Sequence, residues 1–260
     1  MKLVRLFLLF ILINVSLIAN ERDIAKLNDG VKLEKLFFSL IEEDHFGYTL
    51  FGDKPVSLGG AFVRTPWQNF IELGQASELF WDCWKCWENY KKNLKFTNYI
   101  FVIEEDVINN SDQSYLLKSI YFINKKELKK TIINHLDFFE TILQKKVDPD
   151  IFIADIEKGK NSFSESINNN QALLGLCLGY GKQNSILFTI KDFILKEDAL
   201  GGFYKPKKLQ RISSLGFKAD LDSDETKLLK KKYEKWQGNL SAIYANGNFF
   251  EVSLKQLLAE

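Results

Sequence analysis

The segment Glu42-Glu-Asp-His-Phe-Gly-Tyr48, followed by Gly52-Asp53-Lys54-Pro55, gathers four carboxylates, an imidazole, a phenol and a lysine around two turns. His45 beside Glu42 or Asp53 is the residue combination of a general base, or of a metal ligand with its carboxylate partners. That makes Glu42, His45 and Asp53 the catalytic candidates of this chain. The competing reading is a helix end followed by a hairpin, whose polar side chains satisfy turn backbone. It takes precedence, because neither a fixed nucleophile nor an oxyanion-hole pattern accompanies the cluster.

A second group is Trp81-Asp-Cys-Trp-Lys-Cys-Trp87. Cys83 and Cys86 have the spacing of a thiol oxidoreductase motif, but there the first cysteine needs a helix N-terminus to stabilise its thiolate. Thr65-Pro66, a hydroxyl cap with proline behind it, predicts a helix that starts about four turns earlier and runs to Lys92. Trp81, Trp84 and Trp87 then fall on one helical stripe, read first as core and only second as an exposed aromatic platform.

Other spacings fail as sites. Gly175, Gly179, Gly181 and Lys182 lack the glycine and hydroxyl of a phosphate loop, since 176 is Leu and 183 is Gln. Gly175 and Gly179 instead suit close helix approach, and Cys177 between them is an inert apolar thiol. Asp220, Asp222 and Asp224 open like a calcium loop, but Glu225 and Lys231 stand where glycine and an acidic ligand belong. Two histidines, His45 and His135, leave little for zinc, and three cysteines are too few for a disulfide framework. No metal and no cofactor is expected.

The 260 residues carry 35 Lys+Arg against 34 Asp+Glu, so no global field favours nucleic acid. Arginine is confined to Arg5, Arg22, Arg64 and Arg211, which removes most of the planar forks that grip phosphate. The lysine excess has a bland source in the base composition of an AT-rich genome. Residues 1–19 have a short positive region at Lys2 and Arg5, an apolar stretch from Leu6 to Ile13, and a small residue, Ala19, at a cleavage point. That is the pattern of a secretory signal peptide. Leu17 at position −3 suits cleavage poorly, so an uncleaved anchor through residues 3–18 is the alternative, and with it a membrane association.

The elements that must position these residues follow from periodicity. Val31 to Glu43 has apolar residues at 33, 36, 37, 40 and 41, a helical spacing. Tyr48–Phe51 and Val56–Leu58 read as a hairpin around Gly52–Pro55. Strands are expected over 98–104 and 115–123, with a polar loop between them. Asn124 caps a helix to about Gln144 that carries a half-buried His135, and Asp148-Pro149 opens another to about Lys158. Gln171 to Tyr180 is apolar all round, a buried helix ended by Gly181, and 184–195 reads as helix. Residues 196–217 are the loosest stretch, Asp224 caps a long helix, and a short one finishes near Leu258. The sum is a mainly helical α+β fold, several helices packed with a small antiparallel sheet, forming a single domain over residues 20–260.

Leu36–Leu58, Asn170–Ser185 and Glu225–Trp236 resemble an uncharacterised protein family found in chlamydia-like and other intracellular bacteria. The blocks cover about a fifth of the chain, and the resemblance brings with it no known activity or catalytic residue. It is compatible with an exported protein of such a bacterium. The leader joined to a body without a convincing catalytic set reads as a binding or interaction protein without catalysis, its partner unknown, a protein admitted and no nucleic acid expected. The alternatives are a hydrolase using the His45/Asp53 region and a thiol oxidoreductase using Cys83 and Cys86.

Overall fold

The computed structural model describes residues 28–63, 71–110, 113–190, 196–199 and 212–259. The leader, Thr65-Pro66 and most of the loose stretch lie outside the described residues. Helix α1 (Asp29–Glu42) opens with Asn28, whose side chain accepts the Val31 N–H at 3.0 Å, and buries all five residues of its apolar spacing. A short helix α2 (Phe46–Leu50) leads to strand β1 (Val56–Val63), and α3 (Ile71–Lys91) precedes the long strands β2 (Tyr99–Asn110) and β3 (Gln113–Asn124). Then come α4 (Lys125–Asn134), α5 (Leu136–Leu143), α6 (Pro149–Glu157), α7 (Phe163–Ser166), α8 (Gln171–Cys177) and α9 (Lys182–Ile190). Strands β4 (Lys196–Ala199) and β5 (Gly216–Ala219) pair with each other, and α10 (Asp224–Ile243) and α11 (Phe249–Leu257) complete the order. The fold is mainly helical α+β.

The main sheet is antiparallel in the order β1-β3-β2. Because strand side chains alternate between faces, β3 feeds two cores. Ile120 and Phe122 face a core shared with α1, α2, α3, α10 and α11, built on Leu36, Phe37, Trp87, Tyr233 and Leu240. Tyr121 and Ile123 face another, built on Leu128, Ile132, Phe139, Phe163 and Leu173 from α4 to α8. The sheet is thus the middle of three layers.

Several expectations need correction. Tyr48–Phe51 is no strand: Phe46–Leu50 is helical, and all five of its residues are buried. Full burial leaves no period-2 alternation to support a strand. The partner of β1 is β3, with Val56 opposite Ile123 and Val63 opposite Leu116. The helix expected to run from Asn124 to Gln144 breaks at His135, whose φ of −128° separates α4 from α5. Ser223, one residue earlier than expected, caps α10, its hydroxyl accepting the Thr226 N–H at 3.2 Å, while Asp224 sits in the first turn. The stretch read as loosest, 196–217, begins with β4 and ends inside its partner β5.

Two helix starts rest on carboxylates from elsewhere in the chain. Glu225 of α10 accepts the N–H groups of Lys182, Gln183 and Asn184 at 3.0, 2.9 and 3.3 Å, closing the start of α9. Glu34 of α1 accepts those of Phe249 and Phe250, both at 2.8 Å, at the start of α11, where Asn248 makes no side-chain cap. A carboxylate there satisfies orphan donors and meets the positive end of the helix dipole. Replacing either by alanine is expected to cost about 2 kcal/mol. Urea titrations of Glu34→Ala and Glu225→Ala check this through a lower midpoint at unchanged slope.

Candidate functional site

The acidic turn between α1 and α2 folds inward. His45 has φ of +61°, a left-handed conformation uncommon in non-glycine residues but one that histidine, with asparagine and aspartate, adopts more often than most. Its carbonyl accepts the Ser57 hydroxyl at 3.0 Å. Ser57, wholly buried on β1, also accepts from Lys54 Nζ at 3.0 Å, and Thr49 Oγ1 lies 2.7 Å from its oxygen. Lys54 is only 2% exposed and gives a further hydrogen bond to the Val56 carbonyl at 2.7 Å. Asp44 accepts the Gly60 N–H and lies against Gly59, where a Cβ would overlap its carboxylate.

Burial governs the electrostatics. It lowers the pKa of Lys54 to about 7, helped by the nearby Lys232 and opposed by Asp44. His45 is lowered to about 3 by burial and then by the Lys54 charge. Asp44 is raised well above the usual carboxylate range, first by burial and then by Glu43.

The three candidates take different partners. The Nδ1 of His45 is 3.5 Å from Ser213 Oγ, and that hydroxyl donates to the Glu42 carbonyl. Asp53 Oδ1 is 3.3 Å from Lys232 Nζ, an ion pair out of line for a hydrogen bond. Among the described residues no three His, Cys, Asp or Glu side chains gather as a metal site. The group sequence reasoning passed over is Lys54 with Ser57. An amine titrating near 7 beside a hydroxyl is the arrangement of a base and its nucleophile. Here the hydroxyl is sealed from solvent and already bonded three ways, so the pair closes the fold.

Sequence-distant parts meet at this lysine. Gly179, with φ of +81°, leaves its would-be Cβ position 3.4 Å from Lys54 Cγ, and its carbonyl accepts the Tyr233 hydroxyl at 2.8 Å. Trp236 lies against Gly52. The blocks 36–58, 170–185 and 225–236 therefore converge on one place.

The remaining motifs resolve locally. Trp84 and Trp87 are 3% and 0% exposed in the core, and half-buried Trp81 donates its Nε1 hydrogen to the Ala61 carbonyl at 3.3 Å. They form no exposed platform, because the stripe faces the sheet. Cys83 and Cys86 sit in the second half of α3, away from that helix's own N-terminus, and the Cys86 thiol donates to the Asp29 carbonyl at 3.8 Å. Burial pushes the Cys83 thiol up to about 11 and raises that of Cys86, while Cys177 is pushed up to about 12. Gly175 does allow close approach, a Cβ there lying 2.7 Å from Ser185 Oγ on α9. His135 is half-buried at the α4–α5 junction.

Comparison with family models, with curated proteins and with solved structures finds no match to this chain. Among the described residues no helix is long and apolar enough to cross a membrane.

Proposed function

We propose that this is an exported bacterial protein that acts by binding a protein partner, without catalysis. The observation that supports the reading is the closure around Lys54 and Ser57: the Lys54 amine is held by the Val56 carbonyl and the Ser57 hydroxyl, and that hydroxyl donates to the His45 carbonyl. A substrate would have to displace those bonds to reach Ser57, which is wholly buried. The leader pattern of residues 1–19 supports export.

The test is hydrolysis of an ester, an anilide and a phosphomonoester by the wild type and by His45→Gln. Both proteins are expected to match the buffer rate. Wild-type turnover that falls at least tenfold in a normally folded His45→Gln would sink the reading in favour of the hydrolase. For export, N-terminal sequencing of protein from the exported fraction should begin near Asn20. Intact Met1 confined to the cytosol overturns that half.

A further inference from the structure

The two edges of the three-stranded sheet are finished differently. On β1 the Val56 carbonyl accepts Lys54 Nζ and the Gly60 N–H goes to Asp44. Those contacts occupy backbone groups through which an edge strand recruits another chain. Strand β2 has no such cover among the described residues. The Asn124 N–H points towards β1, bonding the Pro55 carbonyl, so alternation turns Ile123 and its partner Ile100 into the β2–β3 ladder. The backbone groups of Tyr99, Phe101, Ile103, Glu105 and Val107 are then directed away from β3.

The side chains along that edge have a definite chemistry. Ile103 and Val107, on one face, are 40% and 64% exposed, with exposed Glu105 between them. Asp106 is exposed on the other face, next to the buried Glu104, whose carboxylate holds the Ser164 N–H at 2.9 Å. Among the described residues, Glu105 is the one of the three consecutive acids with a cation, Lys118 of β3. At the start of the strand lies a shallow depression of about 350 Å³, with Leu94, Phe96, Tyr99 and Phe101 among its walls and Glu88, Lys91, Lys92 and Glu157 at its polar part.

We propose that the outer edge of β2 receives an extended segment of a partner protein as an added strand. The segment carries apolar, basic and apolar residues at alternate positions and a further basic residue opposite Asp106. This rests on the binding reading above and gives it a surface and a ligand class. Main-chain hydrogen bonds supply the affinity of such strand addition, and side chains at alternate positions supply its specificity. Opposite Ile103 and Val107 an apolar side chain extends a cross-strand pair, and opposite the acids a lysine or arginine offsets charge. A second copy of this chain fits poorly: antiparallel pairing of two β2 edges about their centres brings Glu105 and Asp106 against their own images. The depression takes a side chain of the segment where it leaves the edge.

The experiment is a titration of the full chain, labelled with ¹⁵N, with the capped peptide Thr-Val-Lys-Lys-Lys-Val-Thr and its counterpart with glutamates for lysines. Saturable shifts are expected at the amides of Phe101, Ile103, Glu105 and Val107, with the glutamate peptide at least tenfold weaker. Asp106→Lys should weaken the lysine peptide at least fivefold and strengthen the glutamate one. Three results overturn the proposal: no shifts along β2, equal response to both peptides, or β2 amides already protected in a dimer of the free protein. None of these touches the absence of catalysis, which the hydrolysis assay decides separately.

Discussion

Between pH 7 and pH 9 the protein is expected to become more stable, with a slope of about 1 kcal/mol per pH unit that disappears in Lys54→Met. In the folded state Lys54 titrates at about 7 because burial disfavours its charge; in the unfolded chain it titrates near the ordinary lysine value of 10.5. Across that interval the unfolded chain binds the extra proton, so raising the pH favours the fold. Below pH 7 both states hold the proton and the contribution levels off at its least favourable value.

The gain has an upper limit set by other groups. Cys83 and Cys177, pushed up to about 11 and 12 from 9, keep protons in the fold that the unfolded chain releases above pH 9, which lowers stability there. The buried Tyr48, Tyr233 and Tyr244 act in the same sense above pH 10. On the acid side, His45, lowered to about 3, makes stability rise from pH 3 towards 6.5, while the raised Asp44 and Glu43 pull the other way. Urea titrations at half-unit steps, wild type against Lys54→Met, isolate the lysine. Parallel curves between pH 7 and 9 would refute its burial. Lys54→Ala, which also removes the packed stem and leaves the Val56 carbonyl and Ser57 hydroxyl without their donor, should cost about 3 kcal/mol at pH 7.

The second large effect is expected at Gly179. Its φ of +81° costs about 1 kcal/mol for any residue with a Cβ. An added methyl would also overlap the Tyr233 hydroxyl and dislodge its bond to the Gly179 carbonyl. Gly179→Ala should therefore lose about 3 kcal/mol or more, against about 1 kcal/mol for Tyr233→Phe alone. Because Tyr233→Phe removes the overlapping oxygen, the double variant should lose less than the sum. A coupling energy of at least about 1 kcal/mol in that cycle is the measurement, and strict additivity contradicts the geometry.

What could be read from the residues, and what could not, divides along the range of the interactions. Asn124, Asp148 and Asn170 sit before helices and accept N–H groups two or three residues on, so those starts were legible. The local break at His135 and the choice between adjacent Ser223 and Asp224 were not, since both are decided by a single residue's conformation. Phe46–Leu50 was misread because Tyr-Thr-Leu-Phe before Gly-Asp-Lys-Pro has the content of a hairpin. Its helix is set by contacts that the local sequence does not encode, such as Gly47 against Leu240. The same holds for the candidate site. His45 and Asp53 attracted notice as residue types, while Lys54 owes its character to Ser57, Gly179, Tyr233 and Lys232. Glu34 and Glu225, which do the work of local caps from distant helices, carry no spacing signal at all.

The sharing of one core between Leu36 and Leu257 bears on how the chain is made. Helices α1 to α3 emerge from the ribosome early, yet the face they cover waits for Tyr233, Leu240, Tyr244 and Phe249, which are synthesised last. The opposite layer, α4 to α8 with the β2–β3 hairpin, has all its partners at hand by residue 178. Domains fold as units once their contacts are available, so the nascent chain should acquire the α4–α8 side first and hold its first helices unpacked until translation is nearly over. That delay would leave the leading segment open to capture by factors that handle unfolded chains.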